Sequence, residues 1–125
     1  MKKILIWGTG NIAEQFIQNE CGGEIVGFIE THKSRETYMQ KPVYDSSGIP
    51  DGYDYIVVAN SYCGEIYERC QLLHMDISRM IVLQAVKKRV GCTDKAVLKE
   101  ILSDINYGLY CSEFGLTEDT FVKKD

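Results

Sequence analysis

The stretch Lys3-Ile4-Leu5-Ile6-Trp7-Gly8-Thr9-Gly10-Asn11-Ile12-Ala13 constrains this chain more than any other. An apolar run ends on a glycine, turns through a second one, and enters an amphipathic segment with Ile12, Ala13, Phe16 and Ile17 on one side. Gly8, Gly10 and Ala13 have the spacing G-x-G-x-x-A. The first glycine permits a tight turn, the second lets a bound diphosphate approach the backbone, and the small third residue lets helix and strand pack closely. A helix beginning near Asn11 offers unpaired N–H groups and a positive dipole end to an anion. The alternative is a purely structural strand-turn-helix. The first two strands add context: Glu24-Ile25-Val26-Gly27-Phe28-Ile29-Glu30 is a second apolar strand, and it ends on an acid twenty positions after Gly10.

Further along, Pro42-Val43-Tyr44 reads as a short third strand. The segment Tyr53 to Asn60 reads as a fourth, and Met80-Ile81-Val82-Leu83 as a fifth. Helices are expected over about 11–19 and 62–75. In the second, Cys63, Ile66, Cys70 and Leu73 recur at helical spacing and are expected to face the core. The polar stretch 31–40 lacks periodicity and reads as a loop, and 45–52 carries turn chemistry. Together these predict an α/β fold: a Rossmann-like, doubly wound parallel sheet of about five strands, order 3-2-1-4-5. The domain is expected over 1–85, with a helical C-terminal extension of the same domain over 86–125. That extension contains a helix capped by Thr93 and striped with Leu98, Ile101, Leu102, Ile105 and Leu109.

In such a sheet, ligands bind beyond the carboxyl ends of the strands. The expected nucleotide-binding residues are Gly8, Thr9, Gly10, Asn11, Ile12, Glu30, Thr31, Ala59, Asn60 and Ser61. Glu30 is placed to accept hydrogen bonds from both ribose hydroxyls and to repel a 2′-phosphate, which favours NAD over NADP. His32, Lys33 and Arg35 offer a phosphate the opposite welcome. Asn60 and Ser61, with Tyr62, either contact the ligand or cap the following helix.

Composition narrows the function classes. With 125 residues there is room for one compact domain. A net charge of −4 argues against a nucleic-acid surface. No apolar run approaches a membrane span, and the start lacks a signal-peptide core, so a cytoplasmic location is expected, alone or as part of something longer. Five cysteines without a C-x-x-C pair, and two histidines far apart, give neither a disulfide framework nor a metal site. None of the eight tyrosines has lysine four positions on, so the Tyr-x-x-x-Lys pair of short-chain dehydrogenases is missing and no catalytic residue is assigned. Binding is better supported than turnover.

The order Lys3 to Gly10, Val26 to Glu30, Lys41 to Tyr44 and Tyr53 to Ala59 resembles the Rossmann-like domain at the front of bacterial surface-polysaccharide proteins. These include nucleotide-sugar dehydratases, sugar acyltransferases and sugar methyltransferases. The resemblance covers about residues 2–83. It implies binding of NAD(P) or a nucleotide-sugar near Gly8, Gly10 and Glu30, with chemistry in a following domain. Two other functions stand beside this one: a minimal NAD-dependent nucleotide-sugar oxidoreductase or epimerase, and an oligomerisation module. The C-terminal stripe is expected to cover either its own sheet or a second subunit in a homodimer.

Overall fold

The computed structural model describes residues 1–19, 22–59, 63–82, 95–102 and 107. Its strands are β1 (Lys3–Trp7), β2 (Glu24–Glu30), β3 (Thr37–Tyr38), β4 (Lys41–Asp45), β5 (Tyr55–Val58) and β6 (Met80–Val82). Its α-helices are α1 (Asn11–Gln18), α2 (Cys63–Leu72) and α3 (Lys95–Ile101), and a 3-10 turn, Ile77–Arg79, precedes β6.

The expected five-stranded, wholly parallel, doubly wound sheet is corrected by this topology. The sheet has six strands in the order β3-β4-β2-β1-β5-β6 and is mixed. Strand β3 runs antiparallel to β4, with Thr37 opposite Pro42 and Tyr38 opposite Lys41, whereas the remaining neighbours pair in parallel. The chain from β2 to β4 carries a hairpin instead of a crossover helix, and the three described α-helices are short. Two things make the hairpin. Met39 and Gln40 both take positive φ, 50° and 63°, the conformation a tight two-residue turn demands. Tyr38 then sets its ring edge-on to Phe28 of β2, 4.9 Å between centroids, which ties the edge strand to the core.

Alternation along the strands divides the core between the two faces of the sheet. Ile4, Ile6, Phe28, Val43, Val57 and Ile81 point to one face, where Ala13 and Phe16 of α1 and Val97, Leu98, Ile101 and Leu102 cover them. Leu5, Trp7, Ile29, Ile56, Val58 and Met80 point to the other, under Ile66 and Cys70 of α2. Burial on both sides explains why the central strands read as unbroken apolar runs.

The C-terminal stripe therefore finds cover on its own sheet, as far as it is described; Thr93, Ile105 and Leu109 lie outside the described residues. A backbone contact fixes the docking. The N–H of Gly22 donates to the Ile101 carbonyl at 2.6 Å, and the Lys2 N–H donates to Glu100 Oε2 at 3.2 Å.

Helix α2 ends earlier than its periodicity suggests. Met75 N–H bonds the Cys70 carbonyl and His74 N–H bonds the Gln71 carbonyl, with His74 at φ 56°. This is a Schellman cap. It reverses the chain, so Leu73, expected in the core, is 45% exposed, and Met75 packs against the core instead. Ile66 and Cys70 are buried as expected. The side chain of Cys63 lies outside the described residues.

Candidate functional site

The carboxyl ends of β1, β2, β4 and β5 meet along one edge of the sheet. At the end of β1 the chain leaves through Gly8, whose φ of 137° is a conformation that side-chain-bearing residues adopt only with strain. The Gly8 N–H donates to the Ile29 carbonyl at 2.9 Å, which holds the turn against β2. Gly10 is the N-cap of α1 in extended backbone; its carbonyl accepts from Glu14 N–H at 3.0 Å. Among the described residues, no side chain caps the helix, and a Cβ built on Gly10 would meet no atom within 4 Å. The start of α1 thus opens on free space, with Asn11 exposed and Ile12 half-buried behind it.

Glu30 is not idle at the end of β2. Its Oε2 accepts from the Thr9 hydroxyl at 2.7 Å and faces Arg35 Nε at 3.4 Å. Its Oε1 accepts from the Ser34 N–H at 2.8 Å and the Ser34 hydroxyl at 3.0 Å. A carboxylate has about four acceptor positions, so these partners fill it. Burial pushes the Glu30 carboxyl up; the Ser34 N–H, the Thr9 and Ser34 hydroxyls and the Arg35 charge outweigh that and hold it below its ordinary value. A ribose at Glu30 must displace Thr9 or Ser34. Sequence reading missed Ser34 and gave Arg35 to a phosphate, whereas it faces Glu30. The available signal was a hydroxyl four residues beyond the acid, spacing that lets a loop fold back on its strand end.

Thr31, next along, accepts from Trp7 Nε1 at 3.2 Å, and its carbonyl accepts from the buried Ser46 hydroxyl at 2.8 Å. Below it, Asp45 accepts from Lys33 N–H at 2.8 Å and from the hydroxyl and N–H of Ser47. These donors, the Lys33 N–H first, hold Asp45 far below the ordinary carboxylate range. Ala59 is buried at the end of β5, its N–H on the Trp7 carbonyl. So the structure brings Gly8, Thr9, Gly10, Asn11 and Ile12 together with Glu30 and Thr31 and sets Ala59 beneath them. Asn60 and Ser61 lie outside the described residues.

Among the described residues, no cluster of three or more His, Cys, Asp or Glu side chains is placed to hold a metal ion, and no helix is long and apolar enough to cross a membrane. Cys70 is buried, and burial pushes its thiol up to about 11, which keeps it unreactive.

A family model described as C2185-like, N-terminal, matches residues 1–82, from the first residue to the last of β6. The chain belongs to the C2185-like N-terminal family. The matched region contains the Gly8–Gly10 turn, the Glu30 network and all six strands, and the family description carries no activity. A search of curated proteins finds no match.

Proposed function

We propose that this C2185-like domain binds the diphosphate of a nucleotide, either NAD(P) or a nucleotide-sugar, at the Gly8-Thr9-Gly10 turn. One observation carries the reading: the N-cap of α1 is a glycine with open space where its side chain would be and no side chain capping the helix. The uncapped N–H groups and the helix dipole favour an anion there. The resemblance to surface-polysaccharide proteins supports a role in bacterial cell-surface polysaccharide or sugar-nucleotide biosynthesis. The filled carboxylate of Glu30 adds a condition. The base and ribose either displace Thr9 and Ser34 or lie beside the clamp, and a 2′-phosphate meets negative charge, which favours NAD over NADP.

The test is a melting-shift and calorimetry panel of NAD, NADP, UDP-sugars, GDP-sugars and coenzyme A, on the parent and on Gly10→Val. A ligand at one hundred times its Kd stabilises by about 2.7 kcal/mol. Saturable binding to the parent that disappears in a folded Gly10→Val protein is the expected result. Absence of any shift at millimolar ligand, or equal affinity in both proteins, overturns the reading.

A further inference from the structure

A second feature of the same sheet edge lies on the α2 side. A cavity of about 190 Å³ opens between the residues that follow β2 and the first turns of α2, lined by Thr31, His32, Glu65, Ile66 and Arg69. Ile66 forms a buried apolar floor. Arg69 is half-buried, and its Nε is a fully buried donor without a hydrogen-bond partner among the described residues. Buried donors nearly always find an acceptor, and a guanidinium leaves one unmatched at greater cost than a neutral group does. Glu65, one helical turn before Arg69, is exposed.

From this geometry we infer that the cavity is a recognition site for an oxyanion, a phosphate or a carboxylate, bound by Arg69. A guanidinium matches either group with paired N–H donors, and Nε is one of the donors used in that fork. His32 and Thr31 also line the cavity and add polar groups to it. The volume lies below the ~300–1,000 Å³ of pockets that enclose drug-sized ligands, so the group held is a small anion or one end of a longer molecule. Glu65 is the one acid among the described lining residues, and its charge opposes the anion. The site shares Thr31 with the edge that holds the glycine turn, but its charged group, Arg69, lies on α2 and not in that turn.

The experiment follows the Arg69 Nε–H resonance and the heat of binding as the full chain is titrated with inorganic phosphate and, separately, with acetate. Sodium chloride at matched ionic strength is the control. A saturable shift of that resonance with phosphate, acetate or both is expected, and the stronger response identifies the anion class. Arg69→Gln should weaken binding roughly tenfold or more, while Glu65→Gln should tighten it. Gly10→Val should leave the response unchanged, which separates this site from the glycine turn. A melting curve of Arg69→Gln that matches the parent shows that lost binding is not lost folding. Two results overturn the inference: a response that sodium chloride reproduces, or phosphate and acetate affinities unchanged in folded Arg69→Gln.

Discussion

The Thr9 hydroxyl donates to Glu30 Oε2 at 2.7 Å, and this bond joins the turn after β1 to the end of β2. Ser34 grips the other carboxylate oxygen through its N–H and hydroxyl, so one side chain organises both loops at the sheet edge. In the state described, Glu30 is a clamp before it is a ligand contact. Its neighbours give it the geometry of an acid that stays ionised.

The clamp makes stability depend on pH. The folded Glu30 carboxyl lies below its ordinary value of 4.5. The group is therefore ionised in both states at neutral pH, and its stabilising contribution is fully present there. That contribution declines as pH falls below 4.5 and is lost once pH passes through the lower folded value. Glu30→Gln should cost about 1 kcal/mol in urea unfolding at neutral pH. The gap between the two proteins should close in acid. A gap that stays constant through the acid range contradicts the clamp.

The two glycines of the turn should respond differently to alanine. At Gly8, φ of 137° leaves any Cβ strained, and the position is buried. Gly8→Ala should lower stability by about 1–3 kcal/mol. At Gly10 the backbone is extended and a Cβ meets nothing within 4 Å. Gly10→Ala should melt within about 0.5 kcal/mol of the parent. Equal losses at both positions would refute this description of the turn.

Gly22 tests how the C-terminal helix is held. A Cβ there would lie 1.9 Å from the Glu100 carbonyl oxygen, a backbone atom that cannot swing aside. Gly22→Ala should destabilise by about 2–3 kcal/mol, with α3 displaced from the sheet. Hydrogen exchange at Val97 and Leu98 should accelerate more than exchange in β1. Unchanged protection in α3 would show that the loop accommodates the methyl group.

Among the described residues, three that bear side chains occupy left-handed backbone and could be relieved. His74→Gly, at the cap of α2, should stabilise by about 1 kcal/mol, since glycine removes the Cβ cost while keeping both capping bonds. Replacing Met39-Gln40 with Asn-Gly should tighten the β3–β4 hairpin by a similar amount. Both effects are read as a rise in urea midpoint with unchanged slope. A loss of stability in either variant would mean that the replaced side chain contributes more than its backbone strain costs.

Much of this architecture was legible from local pattern. Strands β1, β2, β5 and β6 are built on the apolar runs of the sequence, because burial on both sheet faces demands apolar residues in succession; β4 extends the short Pro42–Tyr44 strand by one residue at each end, and α1 begins at the glycine turn. Strand β3 was not legible. It has two residues, its turn lacks the Asn-Gly pair that marks such hairpins, and Thr37-Tyr38 sits in a charged segment. What stabilises it is Tyr38 against Phe28, a contact between residues ten positions apart. The end of α2 was misread for a related reason: Leu73 continues the apolar period, but the left-handed turn at His74 interrupts it.

By itself, then, the sequence determined where the backbone is apolar, where it turns, and that a glycine turn leads into α1. Those properties are local, set by side-chain period and by the absence of a Cβ. Only the tertiary structure decided that the sheet is mixed, that Glu30 is spoken for by Thr9, Ser34 and Arg35, that α3 covers its own sheet, and that Arg69 Nε is buried without a partner among the described residues. Each of these depends on which residues distant in sequence come within hydrogen-bond or packing distance. Such distances belong to the assembled sheet and are not encoded in the period of any one segment.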